Sequence, residues 1–474
     1  MLPETKFNEC SEVKMNTATP KQQKYLPWIM AAAVFMQMLD ATILNTALPA
    51  MAQDLGVSPF NMQMAIIAYA LTLALIMPIG GVLADRFGTK RVFLPAVFLF
   101  GVGSFLCAMA TTLNALIIFR IIQAAGGALM TPVARLAMMR SFEKSQWLNV
   151  LTFAITPALL GPLIGPILGG YLTVLASWHW NFLINIPIVL FGLYFAYRYF
   201  PNCYGEQKSI DIIGYLLFAL FAFFLTLGLD LIGRIDKIIY LSCLLLGIIL
   251  LLFYFMYARK NNNAIFPISL FSVRTFRIGL MGNLCCRIGM SSLPILLPLL
   301  FQVSFNVSPD IAGWLLAPMA LASMITKAII SKTINYFGYR NILIGNTILI
   351  GLCIISFALP NTNTAIILFV PMLFFMGLIN SIQFSSMNTI VLADLEHNQN
   401  SSGNTLLAVN QQLSISFGLA AGMSILRFAQ QMLPEHSVHM AFRITFITLG
   451  ILTLLSSFVF ARLQKQDGAN LTHQ

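Results

Sequence analysis

The chain is 474 residues long, 58% hydrophobic and 9% charged, with a formal net charge of +11 and a mean hydropathy of +0.83. A soluble domain carries about 25% charged residues, so this composition excludes a water-soluble globular protein and leaves an all-α polytopic membrane protein. A β-barrel is excluded too, because the apolar segments run to roughly 20 residues without strand alternation, and the basic excess follows the loops rather than marking a nucleic-acid partner.

In chain order, residues 1–25 read as a polar cytoplasmic tail, without the short apolar core and small-residue cleavage site of a signal peptide. Fourteen spans are expected, near 26–51, 61–84, 92–110, 113–139, 147–174, 180–200, 211–232, 238–258, 275–303, 309–331, 341–360, 364–392, 399–428 and 438–461. Longer polar stretches bracket the seventh and eighth. They divide the chain into a six-helix bundle over 26–200, a linker with two additional spans over 201–274, a second six-helix bundle over 275–461 and a cytoplasmic tail over 462–474. With the N-terminus inside, inner segments hold clusters such as Arg86, Lys90 and Arg91, or Arg259, Lys260, Arg274 and Arg277, against Arg234, Lys237, Arg427 and Arg443 outside. The positive-inside rule therefore places both termini in the cytoplasm. The seven cysteines are scattered, mostly in apolar segments and without metal-ligand spacing, so no metal is expected.

Asp40 stands mid-way along the first span, where a carboxylate costs about 2.5–3.5 kcal/mol on insertion scales. Such a group is worth its cost if it binds a proton. Burial favours the neutral carboxylate and a nearby guanidinium the charged one, so a cavity opening to each side in turn would load and unload it. Arg120, in the middle of the fourth span, is the expected partner; a permanent structural ion pair is the alternative use of both. Helical geometry sets Gln37 on the face of Asp40 and Gln123 near that of Arg120. Gly81, Asp85, Arg86, Gly88, Lys90 and Arg91 form an inner loop read as a charge latch, a conformational gate. Gly161, Pro162, Gly165, Pro166, Gly169 and Gly170 combine four-residue small spacing with two prolines, which predicts close packing and a hinge. Asn283, Arg287, Asn380, Gln383, Asn410 and Gln411 are, with Gln37 and Gln123, the candidate lining of a substrate cavity; hydrogen bonds between helices are the alternative. No GxxxxGK[ST] segment occurs, so a proton gradient rather than ATP is the expected energy source.

LDATILNTALP (39–49), GVLADRFGTKR (81–91), FRIIQAAGGAL (119–129), GPLIGPILGG (161–170) and SWHWNFLINIP (177–187) together resemble the major facilitator superfamily. More narrowly they resemble its fourteen-span drug:proton antiporters of the EmrB/QacA type. ARKNNNAIFPISLFSVRTF (258–276), NLCCRIGMSSLP (283–294), FSSMNTIVLADL (384–395) and SSGN (401–404) resemble the MdtD type. The resemblance covers essentially the whole chain. It implies two six-helix halves plus two extra central helices, and no enzyme. The implied function is proton-coupled, multidrug-type efflux of small amphipathic molecules by a monomer in a bacterial inner membrane. Export of an organic anion or metal chelate, and a sensor or scaffold that transports nothing, are the alternatives. Two positions depart from the pattern: Ala124 stands where the fourth-span motif has Gly, and Asn335 where the second loop motif has Asp. The second departure predicts an asymmetric latch, charged in the first half and weaker in the second.

Overall fold

Inside a bilayer an apolar chain satisfies its backbone polar groups by coiling into helices. The computed structural model describes residues 19–205, 211–261, 264–327, 329–396, 399–433, 438–464 and 466–468, and all regular structure among them is helical. The helices are α1 (Pro20–Ile43), α2 (Leu48–Asp54), α3 (Gln63–Phe87), α4 (Thr89–Ala108), α5 (Leu113–Ser141), α6 (Trp147–Ile155), α7 (Gly161–Leu175), α8 (Trp180–Leu183), α9 (Asn185–Tyr199), α10 (Ile212–Leu231), α11 (Lys237–Lys260), α12 (Arg274–Met290), α13 (Leu293–Leu299), α14 (Pro309–Thr326), α15 (Ile330–Ser356), α16 (Phe369–Leu392), α17 (Asn400–Met432) and α18 (Val438–Phe460). Thirteen helical segments are long and apolar enough to cross a membrane.

The expected fifth span is not one helix. It is α6 and α7 joined by a 3-10 turn, Thr156–Leu160. Pro157 and Pro162 each lack the N–H that a continuous α-helix needs there, and Pro162 falls at the start of α7, where that loss is harmless. The first span also breaks. Pro49 cannot donate to the Asn45 carbonyl, so α1 ends at Ile43 and passes through a 3-10 turn, Leu44–Thr46, into α2. At its other end α1 starts earlier than expected, at Pro20. Thr19 accepts from Gln22 N at 3.4 Å and its own N donates to Gln22 Oε1 at 2.9 Å, a capping box. Residues 1–18 of the expected N-terminal tail lie outside the described residues, as do 206–210 and 262–263 of the linker and 465 and 469–474 of the C-terminal tail.

The two six-helix halves meet where α7 packs on α14 and α3 on α17; α10 and α11 pair with each other, and α10 touches both α3 and α17. The glycine run makes the α7 contacts possible. A Cβ at Gly161, Gly165 or Gly169 would run into Met38–Leu39, Thr42 or the Ile43 carbonyl of α1, while Gly170 lies against Pro309 and Asp310 of α14. Thr42 Oγ1 donates to Gly161 O at 3.2 Å and Thr46 Oγ1 to Pro166 O at 3.1 Å. So α7 is wedged between the helix carrying Asp40 and the opposite half. Replacing Gly169 with Val is expected to destabilise by more than the roughly 1–3 kcal/mol of ordinary overpacking, because the obstacle is backbone. Thermal unfolding in detergent checks this; an unchanged midpoint would mean α7 has room to shift.

Candidate functional site

Asp40 is wholly buried three residues before α1 ends. Three neighbours from two helices donate to its carboxylate. Arg120 Nη1 of α5 reaches Oδ2 at 2.7 Å, Gln123 Nε2 of α5 reaches Oδ1 at 2.8 Å, and Asn185 Nδ2 of α9 reaches Oδ1 at 3.1 Å. Gln123 also accepts from Arg120 Nη1 at 2.6 Å and donates to Ser104 Oγ of α4 at 2.6 Å. The guanidinium of Arg120, itself buried, lies 3.9 Å over the ring of Tyr69 and 5.8 Å from that of Phe182. Charge pairing, amide donors and an aromatic face therefore share the stabilisation of one buried ion pair. Among the described residues Arg120 Nε has no hydrogen-bond partner.

Two expected cavity residues belong to other networks. Gln123 is part of the Asp40 cluster rather than a free lining residue. Gln37, buried, accepts from Thr131 Oγ1 at 2.5 Å, which ties α1 to α5. Ser104, Asn185 and Tyr69 had not been singled out from sequence. A lone amide within LINIP and a lone hydroxyl within VGSF were the available signals.

In the second half a polar chain crosses three helices. Arg287 Nε of α12 donates to Asn283 Oδ1 at 2.6 Å, Asn283 Nδ2 donates to Asn388 Oδ1 of α16 at 3.3 Å, and Gln411 Nε2 of α17 donates to the same oxygen at 2.9 Å. Arg287 lies 4.6 Å over the ring of Phe384 and its Nη2 is buried without a partner among the described residues. Gln383 faces elsewhere, donating to Thr347 Oγ1 at 2.7 Å, and Asn410 donates to the Leu280 carbonyl at 3.3 Å. Both read as packing contacts between helices. Asn380 is half-buried.

The inner-loop residues form a clamp. Asp85 pairs with Arg140 of α5, and the Asp85 carbonyl accepts from Gly205 N at 3.2 Å. Lys90 Nζ donates to Tyr197 O at 2.6 Å and its N–H to Asn202 Oδ1 at 3.1 Å. Gly88 takes a φ of 92°, a left-handed turn that a side chain would strain, and a Cβ there would meet Asn202. Gly81 faces Leu136, Arg86 stands 5.6 Å over Phe87 and Arg91 is exposed. The matching turn in the second half, at Gly338, has a φ of 74° and open space around it; Asn335 is exposed and, among the described residues, Arg340 Nη2 donates to the Ala461 carbonyl at 3.4 Å. The clamp is thus charged in the first half and sparse in the second. Among the described residues no group of three His, Cys, Asp or Glu side chains could hold a metal ion.

At one end of the molecule the halves touch. Gln302 Nε2, in a π-helical turn Leu300–Ser304, donates at 3.0 Å to the Thr46 carbonyl that the break in the first span exposes. Trp314 Nε1 donates to Tyr171 Oη at 3.1 Å, and Phe60 and Phe442 lie 6.3 Å apart.

A family model described as Major Facilitator Superfamily matches residues 30–211 and 279–473, leaving out the segment that holds α10 and α11. The chain is 44% identical over 454 residues to the probable transport protein HsrA of Haemophilus influenzae, covering 94% of this chain and 97% of that one. It is 41% identical over 450 residues to the putative multidrug resistance protein MdtD of Pectobacterium atrosepticum, covering 94% and 96%. Among solved structures, a D-xylose–proton symporter superposes with a TM-score of 0.68 at 14% identity, covering 94% of this chain and 99% of that one. An inward-facing bacterial homologue of the human lysosomal transporter Spinster gives 0.67 at 12% identity, covering 94% and 97%. These last two likenesses bear on the fold alone. With helices, halves and family match in agreement, the chain belongs to the Major Facilitator Superfamily and is a multi-pass membrane transporter.

Proposed function

We propose that this transporter is a proton-coupled exporter of small amphipathic molecules, a multidrug-type antiporter working as a monomer in a bacterial inner membrane with both termini cytoplasmic. The observation that carries the reading is the buried Asp40 held by Arg120, Gln123 and Asn185. Protonating a carboxylate that holds three donors weakens its hold on them, so its charge state and the packing of α1, α5 and α9 are linked. That linkage is what exchange of a proton for a substrate requires. The glycine face of α7 transmits such a change to α14 of the other half. In this orientation the end where the halves touch is the outer one, so the state described is closed to the outside. The names of the relatives, multidrug resistance and transport proteins, favour small-molecule efflux. The proton gradient supplies the energy, and neither ATP nor a cofactor takes part.

The test is substrate-driven proton movement in proteoliposomes across a panel of lipophilic cations and neutral amphiphiles, read with an internal pH dye. Proton flux that depends on both the compound and an imposed gradient is expected; a correctly inserted protein that moves protons with no member of the panel would overturn the reading. A second reading, export of organic anions, is favoured by Arg287, whose buried Nη2 lacks a partner beside the exposed ring of Phe384. If carboxylates are carried, Arg287→Gln is expected to raise their KM about tenfold or more, as losing a charge-assisted bond worth roughly 1.5–3 kcal/mol requires, and to leave lipophilic cations unaffected. Equal effects on both classes would make Arg287 a structural residue.

A further inference from the structure

The molecule holds a second buried carboxylate that the mechanism above does not use. Asp230, 4% exposed, lies in the last turn of α10, the first of the two extra helices. A helix end leaves carbonyls without partners, and one face of α17 takes these up. Ser424 Oγ donates to Leu229 O at 2.6 Å, Arg427 Nη2 to Asp230 O and, at 3.5 Å, to Ile232 O, and Gln431 Nε2 to Gly233 O at 2.6 Å. Four carbonyls thus fasten the end of α10 to the C-terminal half. Its hold on the N-terminal half is slighter: Gln63 Nε2 of α3 donates to Asp230 Oδ1 at 3.4 Å, and Arg234 Nη1 lies 2.8 Å from Met64 Sδ.

Among the described residues the charges facing Asp230 are Arg427 of α17, at 3.6 Å, and Arg234 just beyond its own helix, at 3.7 Å; α3 contributes an uncharged amide. Among the described residues this junction is incompletely bonded: Gln63 Oε1 and the Nε and Nη1 of Arg427 are buried without partners there, whereas buried polar groups are nearly always satisfied. It also spans the two halves at the end where they touch, since the starts of α3 and the end of α17 lie there with Thr46 and Gln302. A seam that must part in every cycle cannot be fully bonded in one state without opposing the other.

Resting on the alternating-access reading, we propose that Asp230 is a conformational coupling residue: α10 and α11 travel with the C-terminal half, and opening to the outside requires the Gln63–Asp230 contact to part. The extra helices are then a strap across the outer seam.

The test uses the full chain in nanodiscs, with its native cysteines replaced and spin labels placed pairwise at the exposed positions Gln53, Lys237 and Asn306 for electron–electron distance measurements. Gln63→Leu and Asp230→Asn are expected to raise the population with a long 53–306 distance about fivefold, the response when one net hydrogen bond is lost from one of two states. The 53–237 distance should lengthen with it and the 237–306 distance stay fixed. Unchanged distributions in folded Gln63→Leu protein, or a label at 237 that moves with 53, would overturn the proposal. Gln63→Leu leaves both arginines paired with Asp230, so it decides the matter if Asp230→Asn fails to fold. Distances that shift in a protein that moves no substrate would sink the exporter reading and leave the strap standing; transport with unchanged distances would do the reverse.

Discussion

Asp40→Asn is expected to reduce substrate-driven proton movement to the level of empty vesicles while leaving the protein inserted and folded. The substitution keeps volume and shape but removes the acid of the cluster that Arg120, Gln123, Asn185 and Ser104 complete. Its structural cost is bounded. The carboxylate uses both oxygens, one for Arg120 and one for the two amides, and asparagine keeps a single acceptor, so one set of donors is stranded at about 1–3 kcal/mol. Arg120 is not left without stabilisation, because its guanidinium lies over Tyr69 and near Phe182. Downhill substrate exchange, which needs no proton, should therefore persist in the variant. Proteoliposomes loaded with labelled substrate, assayed with and without a pH gradient, separate the two activities. Gradient-driven accumulation at the wild-type rate would remove Asp40 from coupling.

Much of the molecule was legible before any coordinates. Apolar runs, basic loops and a charge in an expensive place are local facts, and they located thirteen of the membrane helices and both members of the Asp40–Arg120 pair. What escaped was of another kind. A helical wheel says which residues share a face, not which neighbour that face meets. Gln37 shares the face of Asp40 yet bonds to Thr131, and Gln123, expected to line a cavity, turns onto Asp40 instead. Asn185 lies far along the chain and reaches Asp40 only because α9 packs beside α1. The first span was expected to run unbroken over 26–51; Pro49 accounts for the break after Ile43, but not for its use, since the Thr46 carbonyl within that break accepts from Gln302 of the other half. Asp230 stands near the end of the expected span 211–232; its burial comes from α17 docking across the end of α10.

Arg120→Ala tests the pair from the other side and should be the more damaging change to the fold. It deletes one of the largest fully buried side chains and leaves the carboxylate of Asp40 with two neutral amide donors. Removing one partner of a buried ion pair costs roughly 3–5 kcal/mol, chiefly because the other charge is stranded. The variant should thus be less stable, and it should lose coupling as Asp40→Asn does, here because the cation that answers the carboxylate is gone. The double substitution Asp40→Asn with Arg120→Ala removes both charges. Its loss of stability should fall short of the sum of the single losses by about 0.5–3 kcal/mol, the coupling of residues in direct contact, while transport coupling is not restored. Thermal unfolding of the four proteins in one detergent at neutral pH gives the cycle. Additive losses would mean that Asp40 and Arg120 are held independently, by the amides and by Tyr69, and that the 2.7 Å contact between them carries little energy. A shortfall without restored coupling would leave the ion pair as the element that protonation must open.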